Sequence, residues 1–152
     1  MNDELKELYQ QVILDHNKNP RNFRKIDPST HSSEGLNPLC GDHIHIWLNI
    51  ENGIIKDISF QGNGCAISKS SASIMTAELK GKTIQEAETL FQQFHDMVTG
   101  KLNHPDQIEH LGKPAIFIGV RDFPVRVKCA SLAWHTMHAA LHQKNTAVTT
   151  EQ

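Results

Sequence analysis

The sequence predicts an α+β fold in which a small antiparallel β-sheet carries helices packed on one face. Three observations predict it. Ile44, Ile46, Leu48 and Ile50 alternate with His43, His45, Trp47 and Asn49, the period of two expected of a strand with one dry face. Asn52-Gly53 follows, the pair that best tolerates positive φ at both centres of a two-residue turn, and Ile54 to Gln61 returns with Ile58 and Phe60 on one side. Helical patterns stand on both sides of this hairpin, and the order helix, hairpin, several helices is that of an α+β domain.

The first helix rests on Leu5, Leu8, Tyr9, Val12 and Ile13, which recur at three-and-four spacing from about Asp3 to Asp15 and stop near Asn19-Pro20. From Arg21 to Leu39 the chain turns to Asn, Asp, Pro, Ser and Gly without a helical period, so an irregular, extended segment with at most a short strand is expected. After the hairpin, Gly62-Asn63-Gly64-Cys65 breaks the returning strand. Ala66 to Leu79 then has helical character closed by Gly81, which sets Cys65 at or just before a helix N-terminus. Thr83 and Glu86 form a capping box, opening a helix from Ile84 to about Thr99 that buries Ile84, Ala87, Leu90, Phe91 and Phe94. Residues 100–123 contain Pro105, Gly112, Pro114 and Gly119 and are assigned a short helix, a loop and a lead-in to Pro124, which suits a first helical turn. The last helix runs from Val125 to Leu141 with Val125, Cys129, Leu132, Ala133, Thr136, Met137 and Ala140 inward. There is no internal repeat, so residues 1–143 read as one domain and 144–152 as a disordered tail.

Length and composition narrow the function. A chain of 152 residues matches one compact core. No run of about 18 apolar residues is present to cross a membrane. Lysine and arginine number 15 against 17 for aspartate and glutamate, a formal charge of −2 with no basic block, so nucleic acid has no electrostatic footprint. Met1-Asn2-Asp3-Glu4 is acidic where a secretory signal would be basic, and a cytoplasmic location is expected. Three cysteines in a reducing compartment cannot form a closed disulfide framework, which leaves packing, metal binding or thiol chemistry.

Each cysteine falls at an element boundary: Cys40 before the first strand, Cys65 between strand and helix, Cys129 in the first turns of the last helix. The spacings are long and no CxxC occurs, so any common site is assembled by the fold. Small buried hydrophobes would fit equally well. Cys40-Gly41-Asp42 lets a thiol and a carboxylate turn toward one centre, and Gly64 removes a side chain beside Cys65. Three thiolates and a carboxylate suit zinc or an iron-sulfur cluster, although Asp42 would also serve as a turn residue or cap. Arg126, three residues before Cys129, shares its helical face and could neutralise thiolates, or be an ordinary solvated charge. His43 and His45, and His135, His138 and His142, also have ligand spacing, but exposed polar positions explain both groups more simply. A P-loop, a nucleophile elbow and HExxH are absent. A thiol hydrolase pairing Cys40 with a histidine base has no support beyond the abundance of histidine.

Taken together, Leu8-Tyr9, Asp15-His16, Asn19-Pro20-Arg21-Asn22, Asn37-Pro38-Leu39-Cys40-Gly41-Asp42, Gly64-Cys65-Ala66-Ile67-Ser68 and Arg126-Val127-Lys128-Cys129-Ala130-Ser131-Leu132-Ala133-Trp134 resemble the IscU/NifU N-terminal family, specifically its SufU branch. The resemblance spans nearly the whole chain. Lys128 stands where the IscU branch carries a histidine before its third cysteine, and the interval from Cys65 to Cys129 is longer than in IscU. The resemblance implies a zinc-dependent sulfurtransferase that accepts persulfide sulfur from a SufS-type cysteine desulfurase and delivers it to a SufB-containing assembly complex. It also implies Cys40, Asp42, Cys65 and Cys129 as zinc ligands, Cys40 as the sulfur-accepting thiol and Arg126 as a basic residue of the signature. In the family a desulfurase histidine takes the place of the accepting thiol on the zinc. The alternative within the same resemblance is a scaffold that builds a [2Fe-2S] cluster on the same ligands.

Overall fold

The alternation along residues 42–51 decides which side of the sheet is dry. In the computed structural model, which describes residues 3–142 together with the backbone of 148–149, this segment forms a ten-residue strand, Asp42–Glu51, with Ile44, Ile46 and Leu48 in the core. Its opposite face is not bare, since Trp47 is also buried and stacks on His45 with ring centroids 4.0 Å apart. In chain order the strands are β1 (His31–Asn37), β2 (Asp42–Glu51), β3 (Ile54–Asn63) and the two-residue β4 (Val148–Thr149). The helices are α1 (Asp3–Lys18), α2 (Ala66–Leu79), α3 (Ile84–Val98), α4 (Pro105–Glu109) and α5 (Pro124–Leu141). The sheet order is β3-β2-β1-β4, antiparallel except that β4 lies parallel to β1. The fold is the expected α+β arrangement, with α2 and α5 packed on the sheet.

The hairpin forms as expected. Asn52 and Gly53 adopt φ values of 53° and 74°, the pair of positive angles that matches the twist of the flanking strands. A register shift at Asn49/Ile50 turns Ile55, as well as Ile58 and Phe60, into the core. The expectation for residues 21–39 needs correction, because β1 is a seven-residue strand paired with β2 from His31↔Leu48 to Asn37↔Asp42. Its sequence, His-Ser-Ser-Glu-Gly-Leu-Asn, has little strand propensity, and the pairing comes from β2 on one edge and from α5 lying across it.

Helix α1 extends past Asp15 to Lys18 and docks on α2 through Tyr9, Val12, Ile13 and His16, whereas Leu5 and Leu8 of the expected apolar face are exposed. His16 is buried with Nδ1 2.7 Å from Ser73 Oγ. Desolvation, together with the nearby cations Arg21 and Lys113, lowers its pKa to about 4, so the imidazole is neutral. Helix α2 has the predicted bounds and is the centre of the domain. Its Ser68, Ser71, Ala72 and Ser73 are small enough to admit close neighbours, and Ser71 donates to the Ala130 carbonyl of α5 at 2.6 Å.

The capping box of α3 is present in both directions, each bond 3.0 Å. Ala87, Phe91 and Phe94 are buried, while Ile84 and Leu90 are half-buried against the core. Residues 100–123 hold more structure than a loop: α4 is followed by a 3-10 helix, Lys113–Val120, that buries Pro114, Ala115, Ile116, Phe117 and Val120. Helix α5 starts at Pro124 and is buried on most of its circumference, its Trp134 stacked on Phe94 at 4.5 Å. Val125 departs from its expected inward position and is exposed. Apart from Val148–Thr149, the segment 144–152 lies outside the described residues. Among the described residues no helix is long and apolar enough to cross a membrane.

Candidate metal centre

Pairing of Asn37 with Asp42 leaves only residues 38–41 to link β1 to β2. The turn is closed by the Cys40 N–H donating to the Asn37 carbonyl at 3.2 Å, and it leaves Cys40 exposed. Asp42, the first residue of β2, is pulled inside with 1% exposure. One of its oxygens, Oδ1, accepts the Cys65 N–H at 2.8 Å. The other, Oδ2, lies 3.9 Å from Cys65 Sγ and 3.3 Å from Asn37 Nδ2. The carboxylate is thus both a clamp on the β3–α2 junction and a donor facing the thiols.

Cys65 is the N-cap of α2. Its extended backbone, φ −69° and ψ 169°, lets Sγ accept the Ser68 N–H at 3.4 Å. The sulfur therefore faces the positive end of the helix. Cys129 enters from α5, 3% exposed, with Sγ 3.3 Å from Cys40 Sγ. Burial, and then the neighbouring Cys40, Cys65 and Asp42, push the Cys129 thiol far above its ordinary range. Without a cation it stays protonated. A divalent cation placed among these groups reverses that preference, because its charge is the largest in the site.

The donor set fits such an ion. Cys40, Asp42 and Cys129 each offer a ligand atom within 4.8 Å of the others, and Cys65 approaches through Asp42 Oδ2. Tetrahedral zinc with bonds of about 2.0–2.3 Å needs donors separated by about 3.3–3.8 Å, a spacing that the Cys40 and Cys129 sulfurs, 3.3 Å apart, already have. Three of the expected ligands, Cys40, Asp42 and Cys129, thus converge, while Cys65 stands beside Asp42 but outside the group whose donor atoms all lie within 4.8 Å.

Arg126 lies one turn before Cys129, exposed, with its guanidinium 4.5 Å from the Phe123 ring centroid. It lines, with Tyr9, Ile13, Leu14, Ile67 and Phe123, a groove of about 690 Å³ between α1 and the start of α5. Leu39, next to the exposed thiol in sequence, is 58% exposed, and Phe123 before α5 is 47% exposed. His43 is exposed as expected whereas His45 is half-buried on Trp47, and both pair with Glu34, at 3.3 and 3.4 Å. His135 and His138 contradict the exposed reading, since both are half-buried against Phe91.

Asn37 is the residue that sequence reasoning missed. It is fully buried, and its Nδ2 donates to Asp42 Oδ2 at 3.3 Å and to Cys129 Sγ at 3.5 Å. One amide thus orients two ligands from different elements. Only its place in the Asn37–Asp42 run hinted at a role. Asn37→Ala is expected to lower zinc affinity about 10- to 100-fold, as loss of an outer hydrogen-bonding partner does elsewhere. Competition with a chromophoric chelator measures it, and an unchanged affinity would remove Asn37 from the site.

Comparison with known proteins finds relatives over most of the chain. The family model for the NifU-like N-terminal domain matches residues 8–130. The chain is 43% identical over 136 residues to the zinc-dependent sulfurtransferase SufU of Bacillus subtilis, covering 90% of each chain. It is 39% identical over 143 residues to the iron-sulfur cluster assembly scaffold protein IscU of Streptococcus pyogenes, covering 94% of this chain and 88% of that one. Among solved structures, a SUF-system cluster assembly scaffold protein from Fervidobacterium islandicum superposes with a TM-score of 0.81 at 34% identity, covering 89% of this chain and 97% of the other.

Proposed function

The chain belongs to the family of NifU-like N-terminal domains, and on that premise we propose that it is a zinc-dependent sulfurtransferase of iron-sulfur cluster assembly. Its sulfur donor is a SufS-type cysteine desulfurase and its acceptor a SufB-containing complex; neither nucleic acid nor a membrane is a partner, and it acts in the cytoplasm. The observation that carries this reading is the unequal exposure of the thiols: Cys40 is exposed, Cys65 intermediate and Cys129 buried. One thiol can meet a partner while the other two stay as ligands.

Cys40, Asp42, Cys65 and Cys129 would hold the zinc. Bound zinc would keep the thiols as thiolates and, lacking redox chemistry, would leave the oxidation level of sulfur unchanged. In the transfer, the Cys40 thiolate attacks the outer sulfur of the desulfurase's cysteine persulfide. The bond from that sulfur to the desulfurase cysteine breaks, its thiolate leaves with the electron pair, and Cys40 becomes the persulfide. Atoms and charge balance without an added reductant. Exposed Leu39, next to Cys40 in sequence, offers a protein partner an apolar contact beside the thiol, and Arg126, one turn before Cys129 on α5, would supply positive charge to such a partner or to the site.

The second reading, a scaffold for a [2Fe-2S] cluster on the same ligands, has the relatives named IscU in its favour. Lys128, standing in place of the histidine of the IscU branch, favours the first. Protein purified without reconstitution separates them. A colourless protein with one zinc per chain that accelerates sulfide release by a cognate desulfurase is expected. Iron-sulfur absorbance without acceleration would overturn the transferase and leave the scaffold.

A further inference from the structure

Helices α3 and α5 bring a second set of ligand side chains together, away from the cysteines. Glu88 on α3 and His138 and His142 at the end of α5 each offer a donor atom, all within 4.8 Å of one another. His142 Nε2 lies 3.0 Å from Glu88 Oε1, and the rings of His138 and His142 are 4.7 Å apart. Thirteen residues of helix separate Cys129 from His142, about 20 Å along the axis, so this cluster and the cysteine centre do not share ligands.

Three features make it more than a surface ion pair. His138 and His142 stand four residues apart, which puts both imidazoles on one side of the helix. His138 is held by stacking on Phe91, centroids 4.3 Å apart and planes within 4°, so one ligand is already oriented. Glu88 and His142 are 41% and 46% exposed, free to rotate inward by the angstrom that zinc bonds of about 2.0–2.1 Å require. Two imidazoles and a carboxylate are a donor set that zinc accepts with one position left for water.

We propose that Glu88, His138 and His142 form a second divalent-metal site, of the zinc class, that ties α3 to α5. The proposal is independent of the sulfur-transfer reading. The test uses the full chain with its cysteine centre already filled by one zinc, titrated with further Zn²⁺ in a calorimeter. A second equivalent is expected to bind and to raise the thermal midpoint. His142→Gln, at an exposed position that the fold does not need, should weaken the second equivalent about tenfold or more. It should also cancel the rise in midpoint and leave the first zinc and desulfurase stimulation as they were; Glu88→Gln should act the same way. A stoichiometry of one would overturn the proposal, as would a second equivalent that neither variant weakens.

Discussion

Cys40→Ser is expected to reduce sulfide release by a cognate desulfurase to the level of the desulfurase alone, while the protein keeps its fold and most of its zinc. The fold survives because Cys40 sits in the exposed turn of residues 38–41, where its sulfur meets the Cys129 sulfur and little of the core. On the proposed ligand set, zinc would be held more weakly but still by Asp42, Cys65 and Cys129. Activity does not survive, because a serine hydroxyl is far too weak an acid and nucleophile to take a sulfane sulfur from a persulfide. Neither remaining thiol can stand in: Cys129 is 3% exposed, and Cys65 is engaged as the N-cap of α2. The measurements are sulfide production, circular dichroism and metal content on one preparation. Residual stimulation in a folded, zinc-bearing variant would show that Cys40 is not the acceptor, and the transferase reading would fall with it.

The second large effect concerns stability. Gly62 in β3 has φ of 145°, and a Cβ there would run into the carbonyl oxygen of His43 and lie 3.0 Å from Ile44 Cα. Both obstacles are backbone of the paired strand, in register with Gly62 itself, so no side chain can swing away. Gly62→Ala therefore combines backbone strain of about 1–3 kcal/mol with an overpacking cost of similar size. A total loss of about 3 kcal/mol or more is expected, a large share of the roughly 5–15 kcal/mol of an ordinary domain. Urea unfolding in the presence of chelator reads it directly. The displacement would also reach the metal centre, because this end of the β2–β3 pair carries Asp42 on one strand and leads to Cys65 from the other. A change below about 1 kcal/mol would mean that the strands separate there at little cost, against the close approach described above.

Much of the fold was legible because its signals are local. The alternation of residues 44–50, the Asn52-Gly53 turn, the Thr83–Glu86 box and Pro124 at a helix start each depend on neighbours within a few positions, and each formed as expected. The places that differed depend on distant partners. β1 has poor strand propensity and exists because β2 and α5 hold it; the 3-10 helix of residues 113–120 is buried by α2, α3 and α5; Leu5, Leu8 and Val125 have the right periodicity but lie exposed outside the core.

The same division runs through the site. By itself the sequence determined the boundaries at which the cysteines fall, the three thiols with a carboxylate beside the first, and a resemblance specific enough to suggest their chemistry. Only the tertiary structure decided that Cys40 lies outside while Cys129 lies within, that Asn37 reaches Cys129 across 92 residues and ties it to Asp42, and that Glu88 meets His138 and His142. Burial and side-chain encounter across long separations are set by how helices and strands pack, and packing is a property of the whole core that no local pattern records.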